Sequence, residues 1–400
     1  MKRLAGPMGC LALVALLGAC TTLGQPSGET PGQWVGVWGA SPTPPPANAK
    51  AFENQTVRQV LRVSAAGSKV RVRLTNEYSD KPLSIGAATI SLAAADGAPV
   101  GKTLDVTFGG AKSVNIPPKS PLVSDAIDLP VKALENISVS LFLPTATGLC
   151  TCHPQGTAVS FISEPGNFTM SAFTPASTFN NRAFISGVEV QPAAPTKVIV
   201  TFGDSITDGT RSTNDGNHRW PDVLAERLNA AGGGYSVVNA AISGNRVLAY
   251  GNAFFGEAAL SRFDRDVLAG PGVRYMTVLE GINDIGMGRP NPPSAEEIIA
   301  GHKQIIARAH ARGIKVIGAT LTPFEGAAYY SEQGETIRQA VNAWIRTGGG
   351  YDAIIDFDAL MKDPANPKKL KADLQSGDWL HPNDAGYKAM GEAVDLALFG

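Results

Sequence analysis

Near Pro192-Ala193-Ala194-Pro195 the apolar pattern of the chain changes its period, and this change restricts the fold more than any single motif. Before it, Val57-Arg58-Gln59-Val60-Leu61-Arg62-Val63 and Val70-Arg71-Val72-Arg73-Leu74 alternate apolar with polar residues, as half-buried antiparallel strands do. Further short strands are expected at 84–92, 137–143, 158–162 and 184–190, separated by glycine and proline turns. No convincing helical period occurs in this part. Many short strands with turn punctuation indicate an all-β sandwich or jelly roll over 34–195. Beyond the proline pair, strand runs alternate with helical stripes. Pro221 to Ala231 reads as a helix, and Ser294-Ala295-Glu296-Glu297 is a capping box. The helix it opens carries Ile298, His302, Ile305, Ile306 and Ala309 on one stripe, so His302 is read as a packed histidine. Another helix is marked by Ile337, Val341, Trp344 and Ile345, and a last one runs from 384 to 398. Strands alternating with helices mean a parallel sheet covered on both faces, which makes 196–400 an α/β domain.

The chemistry lies where those strands end. Val198-Ile199-Val200-Thr201-Phe202 breaks into Gly203-Asp204-Ser205, which puts Ser205 at the carboxyl edge of the sheet, where ligands bind in open α/β folds. A helix-capping serine is the plain alternative. Three later pieces weigh against it. Ala241-Ile242-Ser243-Gly244-Asn245 follows the run Tyr235 to Val238. Gly281-Ile282-Asn283-Asp284 follows Met276 to Leu279. Asp378-Trp379-Leu380-His381 lies near the C-terminus. A serine hydroxyl needs a base to take its proton, and a histidine needs a partner to fix its tautomer. Ser205, His381 and Asp378 supply those types.

These four blocks, in this order, resemble those of the SGNH, or GDSL-type, hydrolase family. The resemblance covers the last half of the chain, with Ile206 in place of the family's leucine. It implies a three-layer, flavodoxin-like α/β/α domain and a triad of Ser205, His381 and Asp378. It further implies an oxyanion hole made from the Ser205 and Gly244 backbone N–H groups and the Asn283 side chain. Asp204 and Asp284 are read as pins for their loops, with Arg246 and Glu280 as candidates for shaping the pocket. An α/β-hydrolase elbow is excluded, because G-x-S-x-G would need glycine where Thr207 stands.

The N-terminus carries Lys2 and Arg3 ahead of the apolar run Leu11 to Leu17, too short to span a bilayer as a mature helix. It reads as a signal peptide, 1–19. Leu17-Gly18-Ala19-Cys20 resembles a bacterial lipobox, which implies lipidation of Cys20 and a tether over 20–33; plain cleavage after Ala19 is the alternative. The expected place is the bacterial cell envelope, at the outer membrane or in the periplasm, or else outside the cell. A net charge of -1 with no basic stripe gives no electrostatic case for nucleic acid.

Trp34-Val35-Gly36-Val37-Trp38-Gly39-Ala40-Ser41-Pro42 and the β-rich half around it resemble the N-terminal domain of a bacterial subgroup of arylesterases and acylhydrolases associated with xylan. Trp34 and Trp38 could form a sugar platform, although packing is the commoner fate of tryptophan. Cys150-Thr151-Cys152-His153 reads as a strained disulfide or two buried thiols; no second cluster completes a metal site. Together the readings give a serine esterase acting on short acyl esters, acetyl foremost, of a polysaccharide or small molecule, without cofactor or metal. A lipase, thioesterase or arylesterase of the same family, or a carbohydrate-binding envelope protein with a vestigial hydrolase domain, are the alternatives.

Overall fold

The computed structural model describes residues 1–2, 33–47, 49–94, 97–347 and 349–400. Apart from residues 1, 2 and 33, the expected signal peptide, the expected lipidation site at Cys20 and the expected tether lie outside the described residues.

The C-terminal half is built on a five-stranded parallel sheet in the order Tyr235–Asn239, Lys197–Gly203, Val273–Leu279, Lys315–Ala319, Ala353–Ile355. In chain order this is 2-1-3-4-5, the flavodoxin-like arrangement, with its switch point between the strands before Ser205 and before Gly281. The strands alternate their faces. Val198, Val200 and Phe202 look toward Phe263, Val267 and Ile305, whereas Ile199, Tyr275 and Ile317 look toward Trp220, Leu224, Val341 and Met390. Both faces being covered explains why the strand sequences are apolar runs rather than alternations. The capping box at Ser294 forms, opening the helix Ala295–His310. The last helix stops at Ala393, short of the expected 398. Val394 turns extended, and the Asp395 side chain accepts the N–H of Ala397 to start a separate 3-10 turn at Leu396–Phe399.

The N-terminal half is antiparallel. One sheet orders Val35–Gly39, Ile185–Gln191, Lys69–Thr75 and Pro121–Val123; the other orders Ser177–Phe179, Ser160–Pro165, Gln55–Arg62, Asn136–Leu143, Ala87–Ala93 and Pro99–Asp105. Val57 and Leu141 from one sheet and Val70 and Val188 from the other are buried in a common core, the arrangement of a sandwich. Two sequence expectations shift here. The single strand at 84–92 is two, because Leu83–Ile85 pairs with Val114–Ile116 while Ala87–Ala93 pairs with Asn136–Leu143. Gln59 faces inward although polar; its amide donates to the carbonyl of Ala183 and accepts that residue's N–H, so nothing buried is left unpaired.

The two halves share one apolar cluster that runs from the sandwich to Val198, Val200 and Val316. At its edge the Gly36 N–H donates to the carbonyl of Pro271, and the Ser236 hydroxyl donates to that of Gly36. Trp38 is buried, with the guanidinium of Arg182 5.7 Å from its ring, and Arg71 lies 4.4 Å over the ring of Trp34. Both tryptophans are engaged in packing and cation–π contact. Cys150 and Cys152 form a disulfide.

Candidate active site

Strand Lys197–Gly203 delivers the chain to Asp204, whose carboxylate accepts the N–H of Ile206 at 3.0 Å and caps the short helix Ser205–Asp208. Ser205 is the first residue of that helix, so its own N–H has no intrahelical acceptor. Its hydroxyl lies 2.8 Å from Nε2 of His381, and Nδ1 of His381 lies 2.7 Å from Oδ2 of Asp378. The other carboxylate oxygen of Asp378 accepts the N–H groups of Leu380 and His381, at 3.0 and 2.9 Å. Partial burial pushes the Asp378 carboxyl up, but the His381 hydrogen bond and charge and the two backbone donors outweigh it and hold it well below the usual carboxylate range. Asp378 is therefore an anion fixed against one ring nitrogen, and the other ring nitrogen faces the serine.

Gly244, on a loop, and Asn283, in the first turn of the helix Ile282–Met287, follow the strands on either side of the one carrying Ser205, since that strand pairs with both Tyr235–Asn239 and Val273–Leu279. Gly244 has φ +76°, and a Cβ there would sit 2.2 Å from the ring of Phe255. The packing of Phe255 and the left-handed backbone together require glycine there. Asn283 is buried. Its amide N–H donates to the Asn245 carbonyl at 3.0 Å, and its oxygen accepts from the Tyr329 hydroxyl at 3.1 Å. Those two bonds fix which way the amide points, and its second N–H has no acceptor among the described residues.

Beneath these loops lies a residue that sequence reasoning did not find. The guanidinium of Arg262, fully enclosed, donates to the Gly203 and Ala240 carbonyls and to the Asn245 side chain, and pairs with Asp266 and Glu280. It ties the ends of the first two strands to the third. No motif marks it; in the sequence it is an arginine in a short helical stretch. Asp284 accepts the N–H groups of Val247 and Leu248, at 2.7 and 3.0 Å, pinning the loop that follows Gly244. Burial pushes Asp284 up to about 6, against those two donors, and pushes Asp204 up to about 7, aided by the charges of Asp284 and Asp208. Glu280 is fully buried beside Arg262 and lines no open surface, and Arg246 donates to the carbonyl of Tyr250 within its own loop.

Three further residues bear on the site. Tyr329 orients Asn283, as described. Asp208, at the end of the serine helix, accepts from both the N–H and the hydroxyl of Ser243, at 2.9 and 2.6 Å. His153, from the sandwich, lies 2.9 Å from Asp208. His302 is enclosed between the Glu280 carbonyl and the Tyr351 hydroxyl, and burial lowers it to about 4, so it is a neutral core histidine. Among the described residues no group of three or more His, Cys, Asp or Glu side chains is placed to hold a metal.

An α/β/α sheet with its polar cluster at the switch point, together with the motif blocks that line it, defines a carboxylic ester hydrolase. Residues 201–389 match the model of the GDSL-like lipase/acylhydrolase family, and this half of the chain is a domain of that family. No curated protein matches the chain. Among solved structures, similarity extends to a G-D-S-L family protein from Desulfitobacterium hafniense DCB-2, with 26% identity over 50% of this chain and 97% of that one and a TM-score of 0.38. The acetyl xylan esterase AlAXEase aligns at 22% identity over 49% and 96%, TM-score 0.38. The aryl esterase of M. smegmatis aligns at 16% identity over 50% and 96%, TM-score 0.40.

Proposed function

We propose that the chain is a serine esterase that removes short acyl groups, acetyl foremost, from a polysaccharide through an acyl-enzyme. The observation that carries this reading is the unbroken line Ser205 Oγ, His381 Nε2, His381 Nδ1, Asp378 Oδ2, with spacings of 2.8 and 2.7 Å. His381 takes the hydroxyl proton as Ser205 attacks the ester carbonyl, and Asp378 stabilises the imidazolium that forms. The carbonyl oxygen becomes an oxyanion and accepts from the Ser205 and Gly244 N–H groups and the free N–H of Asn283. His381 returns the proton to the leaving alcohol. A water deprotonated by the same nitrogen then attacks the acyl carbon, and Ser205 leaves with its proton restored.

The acetyl-polysaccharide substrate is supported by the likeness of the N-terminal half to the domain found with xylan-associated esterases. The same reading puts the protein at the cell envelope, held by lipid on Cys20. Ser205→Ala should lower turnover of p-nitrophenyl acetate by roughly a million-fold, to the level of binding and oxyanion contacts alone, with melting temperature unchanged. Turnover within tenfold of wild type would reject Ser205 as the nucleophile. Rates on acetylated xylan, triglycerides and aryl esters then test the substrate; a preference for long acyl chains would overturn it.

A further inference from the structure

A buried charged side chain of the sandwich reaches into the catalytic half beside the serine helix. His153 follows Cys152 at the end of a two-residue strand paired with Arg182–Ala183, and it is almost completely buried. Nδ1 lies 2.9 Å from the Ser41 carbonyl, and Nε2 lies 2.9 Å from Oδ1 of Asp208 and 3.1 Å from the Gln155 carbonyl. Carbonyl and carboxylate oxygens only accept, so both ring nitrogens carry protons and the ring is a cation. Burial pulls the His153 pKa down, but the charge and hydrogen bond of Asp208 and the Ser41 carbonyl outweigh it, and it stands above the ordinary histidine value.

Asp208 uses its other oxygen on Ser243, accepting from the backbone N–H at 2.9 Å and from the hydroxyl at 2.6 Å. Ser243 is the residue before Gly244, and the peptide between them contains the Gly244 N–H. The two bonds hold the backbone N–H and the side chain of Ser243, and so anchor the residue from which the Gly244 peptide leaves. Asp208 also closes the helix that starts at Ser205, so one carboxylate fastens the nucleophile's helix to the loop carrying Gly244. A carboxylate this enclosed keeps its charge and orientation only with a counter-charge, and its hydrogen-bonded cation is His153.

We infer that His153, supplied by the N-terminal sandwich, is a positioning residue for the esterase reaction: through Asp208 and Ser243 it aims the Gly244 N–H at the developing oxyanion. The inference rests on Gly244 serving as an oxyanion donor in the reaction proposed above. It gives the sandwich a part in the catalytic centre.

The full chain carrying His153→Leu, His153→Gln or Ser243→Ala is assayed with p-nitrophenyl acetate. Active sites are counted by stoichiometric fluorophosphonate labelling, so that any misfolded fraction drops out of kcat. Misplacing a contact by about 1 Å can cost roughly a hundredfold. Per labelled serine, His153→Leu should lose roughly 30-fold to 100-fold in kcat with KM within about twofold. His153→Gln, which keeps one donor toward Asp208, should lose less. Ser243→Ala, which deletes the hydroxyl bond and keeps the N–H bond, should lose roughly threefold to tenfold. If His153→Leu does not fold, the other two variants decide. Full kcat per labelled serine in the variants that fold, with only melting temperature or labelled fraction reduced, would make His153 a structural ion-pair partner and overturn the inference. Full activity of Ser205→Ala would instead remove the reaction itself, which these kcat comparisons among labelled enzymes do not touch.

Discussion

Two histidine–aspartate pairs flank the helix that begins at Ser205, one at the rim and one at the seam between the halves. The spacings are nearly equal, 2.7 Å for His381–Asp378 and 2.9 Å for His153–Asp208. Their surroundings differ. At the rim the side chains are 14% and 30% exposed; at the seam, 5% and 2%. The second nitrogen of His381 meets a hydroxyl, which can give up a proton. Both nitrogens of His153 meet oxygens that can only accept. A ring that faces a donor can act as a base, whereas a ring that faces only acceptors is held as a cation and serves as a clamp. The partner atoms, more than the residue types, divide the labour between two otherwise similar pairs.

The sharpest way to break this comparison is to change the rim carboxylate without changing its shape. Asp378→Asn keeps the oxygen that accepts the Leu380 and His381 N–H groups, so the loop should hold. The atom facing Nδ1 of His381 becomes a donor, which forces the proton onto Nε2, the nitrogen that must receive the one from Ser205. A wrong tautomer of this kind lowers kcat by roughly ten-thousand-fold. Steady-state kinetics beside a melting curve check it; a loss under tenfold would show that Asp378 does not set the tautomer.

A smaller effect is expected one shell over, at the oxyanion donors. Asn283→Ala removes the side-chain donor of the proposed oxyanion hole and the oxygen that accepts from Tyr329. One such donor is worth roughly 100-fold to 1000-fold in kcat, and KM should change little, because the bond strengthens only as charge develops. A rise in KM at constant kcat would make Asn283 a binder of ground-state substrate.

The rim was legible in the sequence and the seam was not, for a physical reason. The residues proposed to meet substrate sit in short motif blocks, three of them just after strands, where serine, glycine, asparagine and histidine have few other uses, so Ser205, Gly244, Asn283 and His381 stand out. The parallel order of the sheet followed from apolar runs alternating with helical stripes. Arg262, Asp208 and His153 act through contacts made in three dimensions, and their local sequence carries ordinary signals: an arginine in a helical turn, an aspartate before a glycine, a histidine beside two cysteines. Cys150-Thr151-Cys152-His153 did draw notice, but as a disulfide or a pair of buried thiols, because nothing in the chain says that Asp208 faces His153. Gln59 was likewise legible as a strand residue and illegible as a buried one, since Ala183, its partner, is far along the chain.

The carboxyls divide as the histidines do, and this yields the smallest of the expected effects. Asp378 at the rim is held below its usual range, while Asp204 beneath is pushed up to about 7, first by burial and then by the charges of Asp284 and Asp208. A carboxyl raised in this way is protonated in the folded chain and ionised in the unfolded one above pH of about 4. The stability it contributes is therefore complete below that pH and is lost as pH rises through about 7. Asp204→Asn cannot ionise, and it retains the oxygen that accepts the Ile206 N–H. Its new amide N–H replaces an oxygen with no partner among the described residues, which shifts the whole stability curve by a constant. The slope is what changes: a carboxyl raised from its ordinary value to about 7 is worth roughly 4 kcal/mol, so relative to wild type the variant's melting temperature should climb by roughly 10 °C between pH 4 and pH 8, at roughly 2–4 °C per kcal/mol for a domain of this size. Melting curves at unit pH steps measure this. A gap that stays constant across the range would mean that Asp204 is ionised in the folded chain, with the enclosed guanidinium of Arg262 holding its charge as His153 holds that of Asp208.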